Sequence, residues 1–256
     1  MDSSGAATDH AAMDHSLLLL CAAIFLAAGL VKGLSGMGLP TLSMALLGLT
    51  ALSPAKAAAL MVLPSLLTNI AQCLGSDWRA LLRQLWPMWC AMVAATLWSP
   101  LPALGSSASG AAAHELLGGV LVVYGIWGLA KPRLPQLQRG PRLIGAAAGL
   151  LSGLLAAGTG VFVMPMVPYL QALRLEKAAM MQAMGISFTL GMLALAARLG
   201  SGLPDVSGVG VLVAVVAAFA GLALGNRLVG RLGAATFQRV LYAVFLALGG
   251  LMLING

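Results

Sequence analysis

Charge is scarce in this 256-residue sequence: Asp, Glu, Lys and Arg make up 8% of it, against 60% hydrophobic residues. Soluble domains carry about 25% charged residues, so that class is excluded, and the short polar gaps between apolar segments leave no room for a separate soluble domain. The apolar stretches also lack the alternation of a lipid-facing strand. An outer-membrane barrel is excluded with it, and helices are the remaining way to satisfy a backbone in lipid.

Other absences narrow the chemistry. Cys21, Cys73 and Cys90 lie far apart within apolar segments and form no Cys-x-x-Cys pair, which predicts free thiols and no disulfide or zinc site. The three histidines, His10, His15 and His114, all fall at segment edges, so nothing supplies the deeply placed base that intramembrane catalysis needs. No catalytic residue, cofactor or metal is expected. The Asp9-His10 and Asp14-His15 pairs fit a polar leader better than a metal site. Gly-x-x-x-x-Gly-Lys-Ser/Thr is missing, so energy for any transport is expected from an ion or substrate gradient. The leader, residues 1–15, is acidic and carries no Lys or Arg, the wrong sign for a signal peptide, and the first apolar segment is expected to be retained.

What the chain does contain is ten apolar pieces: about Ser16–Val31, Leu39–Leu52, Ala55–Leu74, Leu81–Leu101, His114–Ala130, Leu143–Ala157, Val161–Leu173, Leu175–Ala197, Val206–Gly225 and Thr236–Ile254. Two adjacent pairs are short and separated only by glycine-rich breaks, Lys32-Gly-Leu-Ser-Gly-Met-Gly38 and Gly153-Leu-Leu-Ala-Ala-Gly-Thr-Gly160. Downstream of them, Leu52-Ser-Pro-Ala-Lys-Ala-Ala matches Leu173-Arg-Leu-Glu-Lys-Ala-Ala at an offset of 121 residues. The chain therefore reads as an internal duplication, with a first repeat at 16–131, a linker at 132–141 and a second repeat at 142–256.

The net charge of +7 would suggest nucleic acid in a soluble protein, but here the basic residues fall in short loops and report topology. No nucleic-acid partner is expected; the bilayer is the partner. Setting Lys32 aside, 13 of the 14 Lys and Arg remain. If each broken pair crosses the membrane once, they divide 7 against 6; if each pair is a hairpin that returns to its own side, they divide 11 against 2, with Lys56 and Arg198 in the minority. The hairpin arrangement is the expectation. It gives an all-α polytopic bundle of two inverted repeats, each with three crossings and one re-entrant hairpin, an outside N-terminus and a cytoplasmic linker.

Unwound backbone at membrane depth is tolerated where it is buried or lines a cavity, so the two breaks are the candidate binding site. Gly33, Gly36 and Gly38, with Gly153, Gly158 and Gly160, permit left-handed backbone and bring bare N–H groups to a surface, and the helix after each break adds its positive N-terminal end. Ser35 and Thr159 contribute hydroxyl donors. Lys32 abuts the first break, where it either balances an anion's charge or snorkels to an interface. Asn69 and Gln182, with Thr68 and Gln72 nearby, are polar groups inside apolar segments that line a path or bond between helices. Lys56 and Lys177 begin matching segments and are expected at opposite mouths. Gly221 and Gly225 offer a small-residue face for a homodimer or for internal packing.

These residues carry a resemblance. Gly33-Leu-Ser-Gly-Met-Gly38, Gly153-Leu-Leu-Ala-Ala-Gly-Thr-Gly-Val-Phe-Val-Met-Pro165 and the Lys-Ala-Ala stretches at Lys56 and Lys177 make the chain similar to the sulfite exporter TauE/SafE family of bacterial inner-membrane permeases, over about residues 16–255. Members typically carry Gly-x-Gly-Gly-Gly followed by a proline. This sequence keeps Gly158-Thr-Gly160 and Pro165 in one half, while in the other Pro40 comes two residues after Gly38. The resemblance implies a permease, and no enzyme, that moves small sulfur-containing anions such as sulfite, thiosulfate or organosulfonates. A channel, or an accessory membrane protein without transport, is the alternative.

Overall fold

The computed structural model describes residues 15–102, 104, 110–130, 136–137, 141–200, 206–229 and 234–255. Most of the leader and of the linker lies outside them. Among the described residues there are ten α-helices and no strand: α1 His15–Ser35, α2 Leu39–Leu47, α3 Pro54–Cys73, α4 Trp78–Leu97, α5 Gly110–Ala130, α6 Pro141–Thr159, α7 Val163–Ala172, α8 Lys177–Leu199, α9 Gly208–Leu228 and α10 Ala234–Asn255. Seven of these, all but α2, α4 and α7, are long and apolar enough to cross a membrane. The chain is a multi-pass helical membrane protein.

Helix α4 falls below that hydropathy because Arg79, Arg83 and Gln84 occupy its first turns, yet its 20 residues span ~30 Å, the thickness of a hydrocarbon core. Exposed Trp78 and Trp98 flank it, the placement favoured at the two membrane interfaces, and the Arg79 guanidinium lies 5.1 Å from the Trp78 ring centroid.

Glycine sets how closely the helices approach. In α1 and α9, a Cβ at Gly29 would meet the Ala218 carbonyl, and one at Gly33 would meet the Leu222 carbonyl and the Gly225 Cα. The contacts advance together, so α1 and α9 run parallel. The same relation joins α4 to α6, where Gly149 lies against Met88 and Gly153 against Met92. By contrast α5 and α10 run antiparallel, since Gly118 touches Met252 while Gly125 touches Leu246. Gly221 and Gly225 face Leu26 and Leu30 of α1, so the small-residue face considered for a homodimer is used inside the chain.

The broken pairs differ from the sequence expectation in length. The first piece was expected to stop at Val31, short of a full span; α1 continues to Ser35 and has 21 residues, and α6 has 19. Lys32 to Ser35 stay helical because the Gly36 N–H still closes on the Lys32 carbonyl at 2.7 Å and Gly33 is clamped against α9. The chain leaves the helix only at Gly36, with φ +77°. Each pair is thus a long helix followed by a short one, of 9 residues in α2 and 10 in α7. Lys32 bonds to Thr68 and Asn69, and Gly36 to Gln72, so α1 and α3 run in the same direction, the sense that a returning hairpin requires.

Arg198 is one of the two basic residues on the minority side, and its charge has a local use. Its guanidinium donates to the carbonyls of Thr96, Leu97, Ser99 and Leu101 at 2.7–3.2 Å, closing the C-terminus of α4, where the helix dipole favours a cation.

Candidate functional site

The two breaks share a local design. Ser35 Oγ donates to the Val31 carbonyl four residues back and lies 3.4 Å from the Met37 N–H; Thr159 Oγ1 donates to the Leu155 carbonyl and accepts from the Val161 N–H at 3.2 Å. The next residue in each is a left-handed glycine, Gly36 at φ +77° and Gly160 at +73°. These hydroxyls satisfy the turn's own backbone, the usual employment of Ser and Thr at such positions. They serve the turns as local caps, where the sequence suggested donors for a ligand.

Around that shared design the surroundings diverge. Three residues before Ser35 stands Lys32, only 3% exposed; three before Thr159 stands Ala156. The Lys32 ammonium donates to Thr68 Oγ1 at 3.1 Å and to Asn69 Oδ1. Thr68 can accept because its own hydroxyl proton goes to the Pro64 carbonyl at 2.7 Å. Gln72, one turn further along α3, donates from Nε2 to the Gly36 carbonyl at 2.7 Å and fastens the turn to the same helix face. Ser65, Thr68, Asn69 and Gln72 recur at helical spacing, so α3 presents one polar stripe to the first break.

No carboxylate is buried among the described residues: Glu115 and Glu176 are exposed and Asp77 is half-buried. Lys32 therefore faces two neutral oxygens, with no carboxylate beside them among the described residues. An ammonium has three donors, and two are engaged here. Beside it Asn69 Nδ2 is buried without a protein partner, as are Gln72 Oε1 and Ser65 Oγ on the same stripe of α3 and, on α2, Thr41 Oγ1. Buried polar groups in native proteins are nearly always paired, so a row of unpaired ones on the stripe that holds a buried lysine is the arrangement expected of a ligand site.

The second break is self-contained. Ser152 Oγ accepts the Met166 N–H at 2.9 Å near the start of α7, and Thr159 takes the Val161 N–H. At the first break Gly38, the residue preceding α2, supplies no side-chain cap to that helix. Gly158 and Thr159 border a cavity of about 210 Å³, together with Met44, Thr50, Pro54, Ala113 and His114, but no residue of 32–38 lines it. The two breaks touch α5 at different depths. Met37 Sδ lies 3.6 Å from the Tyr124 hydroxyl, whereas Gly158 packs on Leu116, eight residues or ~12 Å earlier along the helix. The single site between both turns that the sequence suggested is not assembled in this conformation; α2 lies between them, with Met44 against Gly160.

Other candidates have definite structural tasks. Gln182 donates to the Cys73 carbonyl and accepts the Asp77 N–H, both at 3.1 Å, tying the α3–α4 connection to α8. Gly33 and Gly153 are helix-packing residues. Lys56 and Lys177 are exposed in the first turns of α3 and α8. Gln182 and Gly185 of α8 meet Cys73 and Gln72 at the far end of α3, which puts the two lysines at opposite ends of that helix pair. Sequence reasoning missed Thr41 and Ser65; for Ser65 the signal was its spacing four residues before Asn69.

No curated protein sequence and no solved structure matches the chain. The sulfite exporter TauE/SafE family matches residues 21–252, nearly the whole sequence and both glycine breaks. With its multi-pass helical architecture and its duplicated Gly-rich breaks, the chain belongs to the sulfite exporter TauE/SafE family of membrane permeases.

Proposed function

We propose that the chain is a secondary transporter, working as an exporter, of small sulfur-containing anions such as sulfite, thiosulfate or organosulfonates across the bacterial inner membrane. Lys32, Thr68 and Asn69, with the Gly36–Gly38 turn, form its anion site. The observation that carries this reading is Lys32 itself: a cation 3% exposed within a membrane helix, with no buried carboxylate to neutralise it among the described residues. A charge in that setting is costly unless something of opposite sign visits it.

Alternating access around inverted repeats is the mechanism we propose. It is supported by the antiparallel course of α5 and α10, which occupy corresponding places in the two halves, and by the exchange of α1–α9 for α4–α6 when the halves are swapped. An axis that turns one helix into its antiparallel counterpart lies in the membrane plane. The starts of α4, α6 and α8 carry Arg79, Arg83, Arg142 and Lys177 and the end of α9 carries Arg227, which supports a cytoplasmic position for these ends and an outside N-terminus.

The test is uptake of radiolabelled sulfite, thiosulfate, isethionate and sulfoacetate into proteoliposomes, with and without a proton gradient. Saturable movement of any of them, lost in Lys32→Gln protein that inserts and purifies normally, is the expected result. Movement of none by folded protein would overturn the transporter reading and favour an accessory role.

A further inference from the structure

We infer that the Lys32 site selects anions carrying one negative charge over anions of similar size carrying two, and so serves monoanionic sulfonates or bisulfite. This rests on the anion site proposed above and adds the substrate's charge to it.

Charge is sparse around the site. Lys32 is the one buried charged residue among the described residues. The helices packed on α1 and α3 bring no second cation to it: α2 has no charged residue, Arg227 of α9 and Arg239 of α10 are exposed, Lys56 and Lys177 are exposed at helix starts, and His114 of α5 borders the other cavity with Pro54 and Ala57 at the far end of α3. Arg198 of α8 is committed to the α4 carbonyls. The groups that α3 sets beside the end of α1 are Thr68, Asn69, Gln72 and the Cys73 thiol, none of them a carboxylate or a second cation. The unengaged donors are the third ammonium N–H and Asn69 Nδ2, which suit one or two oxygens of a single anionic group.

An anion with one charge cancels Lys32 and leaves the site neutral. A dianion leaves one charge uncompensated where water is excluded, and such a buried charge costs several kcal/mol, enough to weaken binding at least about 100-fold. A zwitterion such as taurine brings its own ammonium, for which no buried carboxylate waits among the described residues. Exchange of ligands at Lys32 is chemically simple, because its present acceptors are a hydroxyl and an amide oxygen, either of which an anionic oxygen outcompetes.

Isethionate and sulfoacetate provide the test, being of similar size with one and two charges at neutral pH, and taurine serves as the zwitterion. Calorimetric binding to the full chain in nanodiscs should favour isethionate over sulfoacetate by at least about 100-fold, with taurine weaker than isethionate. Asn69→Asp gives Lys32 a permanent counter-ion. That variant should lose isethionate binding while its melting temperature stays level or rises, a combination that misfolding does not produce. Lys32→Arg should keep the preference for one charge. Equal or tighter binding of sulfoacetate, or full isethionate binding by Asn69→Asp, would overturn the inference while leaving the transport reading intact; failure of every anion to bind or move would sink both.

Discussion

The two glycine breaks are built alike and equipped differently. Each ends a long helix with a hydroxyl bonded four residues back and a left-handed glycine directly after it, Ser35-Gly36 in one and Thr159-Gly160 in the other. Yet at the second break the backbone donors go to Thr159 and Ser152, and Ala156 fills the place that Lys32 holds at the first. The polar stripe of α3 likewise has no full partner in α8, where Leu190 and Leu193 stand at the offset of 121 residues from Asn69 and Gln72. One break sets a buried lysine beside a polar helix face, and the other closes on its own side chains beside a separate cavity.

The sharpest way to break this comparison is to exchange a side chain at each turn. Lys32→Gln should cut anion transport at least about 100-fold, because it removes the one buried basic side chain among the described residues, whereas Ala156→Ser should change it less than about twofold. Equal losses in proteoliposome uptake would show that the halves act symmetrically after all. Next in size, Gly33→Leu and Gly153→Leu both drive a side chain into neighbouring helix backbone and should each destabilise the fold by about 3 kcal/mol, seen as a lowered melting temperature in detergent. Here the two halves should respond alike, since both glycines serve packing.

Arg198→Ala should cost about 2 kcal/mol by releasing four carbonyls at the end of α4, and Arg198→Lys should recover less than half of it, because an ammonium cannot reproduce the planar fork. A melting temperature unchanged in Arg198→Ala would refute that capping role. The smallest contrast is between the turn glycines. Both Gly36→Ala and Gly160→Ala pay about 1 kcal/mol for left-handed backbone, but at Gly36 the new methyl also meets Met181 far more closely than Met44 is met at Gly160, where its Cε lies 3.1 Å away. Gly36→Ala should therefore be the more destabilised of the two in the same melting assay.

Much of this was legible in the residues. Hydropathy and segment length announced a helical membrane protein, and the glycine breaks with the Lys-Ala-Ala stretches at Lys56 and Lys177 carried the resemblance to the family that matches. Less legible was where each helix stopped. Gly33 reads as part of a loop in a string of glycines, but contact with Leu222 and Gly225 of α9 keeps it helical, and the break moves to Gly36. Gln182 looked like a path-lining residue for the same reason that it serves as a tie, since a polar group in an apolar helix needs a partner wherever that partner lies.

Sequence by itself determined the solvent, the fold class, the family and the places where backbone must unwind, because each depends on composition or on local chemistry that a few neighbouring residues decide. Tertiary structure alone decided that the two breaks lie at different depths along α5, that Ser35 and Thr159 spend their hydroxyls on their own turns, and that Lys32 meets Thr68 and Asn69 with no carboxylate beside it. The physical reason is that a buried lysine takes its meaning from groups 36 and 37 residues away in the chain, and only a fold that sets the end of α1 within a side chain's reach of α3 brings them together.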